Sequence, residues 1–178
     1  MIYMILFLIF SPILLAQDGL RYLSDKSTME VIIDLGNCGK FKYKSNNILD
    51  SSAVEFKNGT PVFQNFTLQI PSESIKSWIK PANDMLMETL KADKFPVNSV
   101  SFTSYEADGY CTGDIEIGGV KKTNEHFKAK LNKKQRNIVL DCHWHGSLET
   151  FNLTMPEITV SNIKPSEEFD VKLQLIFD

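Results

Sequence analysis

The chain has 178 residues, enough for one domain with a sizeable core. A net charge of −3 with 43% hydrophobic residues excludes an intrinsically disordered chain and argues against a dedicated nucleic-acid binder, which would carry a basic surplus. The cysteines, Cys38, Cys111 and Cys142, match no zinc spacing. Either two of them pair in an oxidising compartment or all three are small buried residues.

Met1–Ala16 is an almost unbroken apolar run. Its length and the small residue Ala16 predict a secretory signal over 1–16, although no Lys or Arg precedes the run and Leu14 is larger than the residue preferred there. A retained anchor is the rival reading. No later segment is long and apolar enough to span a bilayer, so residues 17–178 are expected to form the mature domain.

After this run the dominant period is two. Residues 27–35 predict a strand with Met29, Val31 and Ile33 on one face, and residues 40–45 another with Phe41 and Tyr43 together. Residues 52–60 end in Asn58-Gly59, a strong turn pair, and 61–71 follow with Phe66, Leu68 and Ile70 alternating, so a hairpin is expected. The period then changes. Ile75, Trp78 and Ile79 fall at helical spacing, as do Met85, Leu86, Thr89 and Leu90, which predicts two helical pieces within about 72–94. The second begins near Pro81 and stops before Phe95-Pro96. Alternation returns in 98–106, 110–119, 125–132, 137–146, 147–160 and 168–178. Nine or ten short strands, each with one wet and one apolar face, predict an antiparallel barrel or sandwich. A barrel of about eight strands either fills with side chains or holds one ligand, and an amphipathic helix between strands suits the closing of an end. Met85, Met87 and Trp78 make that helix a malleable apolar wall or ordinary core.

The order of these pieces adds a resemblance. Lys91–Pro96 is followed by Phe102-Thr103-Ser104, by Gly113-Asp114-Ile115-Glu116-Ile117-Gly118-Gly119-Val120-Lys121 and by a closing strand, "FDVKLQLIF". This resembles the YceI-like family over most of 27–178. The resemblance implies an extended, lipocalin-like antiparallel β-barrel with a helical insertion, a lumen that takes a long apolar chain such as a polyisoprenoid lipid, and a periplasmic or secreted location. Residues 141–155 depart from the family's usual segment: they are shorter and carry two histidines.

The expected function is therefore non-enzymatic binding of a long-chain isoprenoid or fatty amphiphile for transport, storage or sequestration. No cofactor is expected beyond bound lipid, and no nucleic acid or membrane span in the mature chain; a homodimer is left open. The residues expected to line the lumen are Phe66, Leu68, Trp78, Met85, Leu86, Phe102, Phe127, Phe151, Leu153 and Phe169. Two alternatives stand beside this reading. His143 and His145 share a strand face and are an alternative metal site or small metalloenzyme centre, with His126, Asp141 or Glu149 as a third ligand. The other alternative is a structural β-domain with a filled core. Asp114 and Glu116 also share a face, but acids alternating with Ile115 and Ile117 read as a solvated surface. No HExxH, phosphate-loop or G-x-S-x-G pattern occurs.

Overall fold

The computed structural model describes residues 19–35, 39–50, 54–64, 66–156 and 165–178. The expected signal at 1–16 and Cys38 lie outside the described residues.

Twelve strands follow in chain order: β1 (Gly19–Leu20), β2 (Thr28–Asp34), β3 (Lys40–Ser45), β4 (Leu49–Asp50), β5 (Val54–Lys57), β6 (Thr60–Phe63), β7 (Phe66–Pro71), β8 (Val97–Glu106), β9 (Tyr110–Ile117), β10 (Val120–Lys134), β11 (Asn137–Ser147) and β12 (Glu168–Phe177). One helix, α1 (Lys80–Thr89), connects β7 to β8. Nine strands form one antiparallel sheet in the order β3-β2-β12-β11-β10-β9-β8-β7-β4. Its two edge strands, β3 and β4, are neighbours in sequence, so three residues carry the chain from one edge to the other and curl the sheet. Lys44 on β3 closes the seam by exchanging two backbone hydrogen bonds with Lys76, at 2.8 and 2.9 Å. Of the barrel or sandwich that the alternating pattern predicts, the architecture is the barrel, in the lipocalin-like form with a helical insertion that the resemblance implies.

Pleating aims alternate residues inward. Met29 and Ile33 of β2, Val171 and Leu173 of β12, Cys142 and Trp144 of β11 and Val100 and Phe102 of β8 are all buried. Their neighbours on the other face, such as Glu30, Lys172 and His143, are at least partly in water.

The two barrel ends are closed differently. At the lower end β1, β5 and β6 make a separate small sheet. The Asn58-Gly59 turn joins β5 and β6 as the sequence predicts, with both residues at positive φ. The 61–71 strand, however, breaks after Phe63: β6 pairs with β5, whereas β7 pairs with β8 in the main sheet. This small sheet presses Phe63 onto Phe66, with ring centroids 5.8 Å apart. Tyr22 packs on Phe66 and Phe177 at 5.6 and 5.7 Å.

At the upper end sit α1 and a turn after β11. Here two expectations need correction. Residues 72–79 are not a helical piece: one 3-10 turn (Ser72–Ser74) leads into extended chain, held by the Lys44–Lys76 pairing. Of the strand expected over 147–160, Ser147 ends β11, 148–156 are not a strand, and 157–160 lie outside the described residues. Leu148 starts a 3-10 turn (Glu149–Phe151), and Asn152 in the left-handed region sends the chain back, with the Leu153 N–H donating to the Leu148 carbonyl at 3.0 Å. The tight turn buries Leu148, Phe151 and Leu153, so it imitates the alternation of a strand without pairing.

Candidate functional site

Two unlike regions share the barrel interior. In the lower part the aromatic side chains meet. Phe66 stacks with Phe102 at 6.3 Å, Phe102 meets Phe127 edge-on at 5.2 Å, and Phe127 continues to Trp144 at 6.4 Å. Trp144 then contacts Phe151 and Phe169 at 5.9 and 5.7 Å. Phe66, Leu68, Phe102, Phe127 and Phe151 are at most 1% exposed. Phe63, Phe66, Phe102 and Phe127 fill the lower barrel, and Trp144, Phe151 and Phe169 carry the ribbon up to the edge of the upper cavity, so an apolar tunnel does not run its full length.

The upper part is hollow. A small apolar cavity of about 60 Å³ lies beneath α1. Met29, Val31 and Ile33 line one wall, Val100, Ile115 and Ile117 the opposite one, and Leu86 and Leu90 of α1 form the roof. From Met29 to Ile33 is four strand steps, roughly 13 Å at ~3.3 Å per residue. About 15 Å³ suffices for one water, so the cavity as it stands has room for a few waters or a short branched alkyl group. A longer chain needs movement of the roof or of Met155, which also lines the void.

The polar groups around this void are already engaged. Asn98 donates from Nδ2 to Ser72 Oγ at 3.0 Å and accepts the Gly118 N–H at Oδ1 at 3.2 Å. The Thr89 hydroxyl donates to the Met85 carbonyl within α1 at 2.9 Å. A polar ligand group placed here would lose its water and gain little, whereas an apolar one gains by leaving water.

A second apolar space of about 270 Å³ opens beside the N-terminal end of α1. It is lined by Leu35, Phe41, Tyr43, Pro81, Ala82 and Met85, and it shares Ile33 and Met155 with the inner cavity. These two residues separate the interior void from an external groove. The Tyr43 hydroxyl donates to the Ala82 carbonyl at 3.1 Å, tying β3 to the helix, and burial pushes its pKa up to about 12.

Of the residues expected to line the lumen, Leu86 and Phe169 border the inner cavity. Met85 borders the external groove. Phe66, Leu68, Phe102, Phe127, Phe151 and Leu153 are packed core. Trp78 points away from the interior and is 89% exposed. The expectation that it lines the lumen is corrected: residues 75–79 are not helical, and the chain there leaves this side chain in water. Alternation does find the wall residues Met29, Val31, Ile33, Val100 and Ile115. It gives their face but not their height along the barrel.

His143 and His145 lie on the outer face of β11. Both rings meet the same oxygen, Asp170 Oδ1, at 3.0 and 3.1 Å. Burial raises the Asp170 pKa, but hydrogen bonds from His145 and His143 outweigh it and hold the carboxyl below its ordinary value. Among the described residues no group of three or more His, Cys, Asp or Glu is placed to hold a metal ion. The expected third ligands do not join them: Asp141, on the same face of β11, bonds Gln174 and Asn132, His126 faces Thr112, and Glu149 sits in the upper turn. Cys111 and Cys142 are buried and unpaired with each other.

A curled antiparallel barrel with an apolar upper cavity, one helix as its roof and an apolar groove at its side defines a lipocalin-like fold. Solved structures share it. The chain is similar to BcnA of Burkholderia cenocepacia, with 17% identity and a TM-score of 0.73, covering 88% of this chain and 99% of that one. It is also similar to a polyisoprenoid-binding domain from Saccharophagus degradans implicated in plant cell wall breakdown, with 11% identity and a TM-score of 0.63 over 90% and 97% of the two chains. A YceI protein of Campylobacter jejuni aligns with 16% identity and a TM-score of 0.56, over 74% and 81%. The resemblance read from the motifs is thus borne out as a shared fold. No family model matches the sequence, and no curated protein does.

Proposed function

We propose that this protein is an exported, non-enzymatic carrier of the YceI type that holds the apolar chain of an amphiphile, such as a polyisoprenoid lipid, under α1. The observation that carries this reading is the apolar cavity bounded by Met29, Ile33, Val100, Ile115 and Leu86, together with the apolar groove on the other side of Ile33 and Met155. The chain's end occupies the upper barrel, the rest follows the groove, and the head group stays in water. Aromatic filling of the lower barrel limits how much chain goes inside. Specificity therefore rests on chain shape near the inner end more than on total length. The polyisoprenoid-binding neighbour supports an isoprenoid as ligand, and the apolar run Met1–Ala16 supports export to the periplasm or outside the cell.

The filled lower barrel favours a second reading, a structural β-domain whose upper void is a packing defect. Organic extraction of the purified protein followed by mass spectrometry separates the two. A stoichiometric long-chain amphiphile supports the carrier. No lipid in the extract, together with no uptake of an added polyprenyl lipid by the stripped protein, supports the structural domain.

A further inference from the structure

Trp78 is the most exposed large apolar side chain among the described residues, at 89%. It does not hang from a loose loop. The Asn83 side chain clamps the backbone just before it: Oδ1 accepts the Ser77 N–H at 2.7 Å and Nδ2 donates to the Ser77 carbonyl at 3.2 Å. The Ser77 hydroxyl accepts the Ile79 N–H at 3.1 Å just after it. On the upstream side Lys76 is paired with Lys44 across the barrel seam. The chain is therefore pinned on both sides of an indole held out in water.

The charges around this point are also unusual. Lys76 and Lys80 stand two residues to either side of Trp78, both exposed, and among the described residues neither makes an ion pair. Lys44 lies directly opposite Lys76, a like-charge pairing that weakens a sheet. Among the described residues Glu30, 3.7 Å from Lys44 and shared with Lys42, is the acid paired with it. The acids Asp84 and Glu88 lie further along α1, so the basic end is the one that carries the tryptophan. Ile79, Pro81 and Ala82, next in the chain, border the external groove.

We infer that this corner is a membrane-docking surface: Trp78 inserts into the interfacial layer of an anionic phospholipid bilayer while Lys44, Lys76 and Lys80 meet its head groups, so that the groove mouth faces the lipid. An indole suits the boundary between head groups and acyl chains, and lysines beside it are attracted to anionic lipid. The inference rests on the carrier reading for its purpose, since docking lets an apolar chain pass between bilayer and groove without crossing water.

The test uses the full chain with vesicles of phosphatidylcholine alone or with one quarter phosphatidylglycerol, both free of isoprenoid. The readout is quenching of tryptophan emission by acyl-brominated phospholipid. This reports Trp78 itself, because Trp144 is buried and donates its N–H to Glu125; whole-chain sedimentation would also register the apolar Met1–Ala16. The expected result is quenching with anionic vesicles, weakened by salt and much smaller with neutral ones. Trp78→Phe should abolish it. Lys76→Glu with Lys80→Glu should raise the lipid concentration for half-maximal quenching tenfold or more. Val100→Phe, which blocks the inner cavity, should leave it unchanged, so failure of docking and failure of the carrier reading remain distinguishable. Equal quenching in neutral and anionic vesicles, no quenching in either, or Trp78-dependent self-association without vesicles would overturn the inference.

Discussion

Val100 and Val54 are both valines at most 3% exposed, on inward-facing positions of the same molecule. Val100 borders the inner cavity, whereas Val54 lies in the filled lower cap, opposite Phe63. Replacing each with phenylalanine makes one chemical change in two packing environments. At Val54 the ring has no space, and overpacking of this kind costs about 1–3 kcal/mol. At Val100 the ring enters a void, so the expected stability change is within about 0.5 kcal/mol of zero. The effect on binding is reversed. A phenylalanine presents about 150–250 Å² of surface. If half of it displaces ligand chain, because valine already occupies part of the volume, the lost burial is about 2–3 kcal/mol at ~25 cal/mol per Å², or roughly 30- to 150-fold in affinity. The assay is displacement of a fluorescent apolar probe by a polyprenyl lipid, beside urea unfolding of the same preparations. A folded Val100→Phe protein that binds as tightly as the parent would refute the placement of the chain. So would a Val100→Phe protein as destabilised as Val54→Phe, since the void would then not be usable space.

Two further outcomes follow from the same geometry. Asp170 is held below its ordinary pKa by the two histidine hydrogen bonds, which outweigh the effect of burial. A depressed carboxylate contributes stability that is present above the unfolded value, about 3.9, and is lost as pH falls through the folded one. Asp170→Asn should therefore lower stability near neutral pH, by at most about 1 kcal/mol because the site is partly solvated, and should flatten the loss of stability below about pH 4 in acid unfolding curves; an unchanged acid limb would count against the shared hydrogen bonds. Gly113 sits against the Ser101 carbonyl, where an added Cβ would overlap backbone that has no room to give. Gly113→Ala should destabilise by about 2 kcal/mol or more, read as a shifted urea midpoint, while a neutral result would mean that β8 and β9 are not in this register.

Much of this protein is decided locally. A polar–apolar alternation at Met29–Ile33, Ile115–Ile117 or Phe169–Phe177 favours a pleated strand with one buried face, because period two puts those side chains together. Asn58-Gly59 makes its turn because both residues accept positive φ. Pro81 starts α1 because a first-turn proline loses no hydrogen bond. Fold class, most strand positions and the existence of a covering helix are therefore written in short stretches of chain.

Height along the barrel is not. Phe102 and Val100 are inward on the same strand, yet one closes the lower barrel and the other borders the void. The difference comes from register, which sets Phe102 beside Phe66 and Val100 beside Ile115, and from the small lower sheet that drives Phe63 into the stack. The same holds for Trp78 and for 148–156. Helical spacing and strand-like alternation are both present in the letters, but pairing of Lys76 with Lys44 and the turn at Leu148 overrule them. Those contacts join residues 32 or more positions apart in one case and form a non-repeating turn in the other, and neither leaves a periodic trace. Sequence periodicity fixes which side of a strand is dry; only the assembled barrel decides whether that dry side meets another side chain or an empty space.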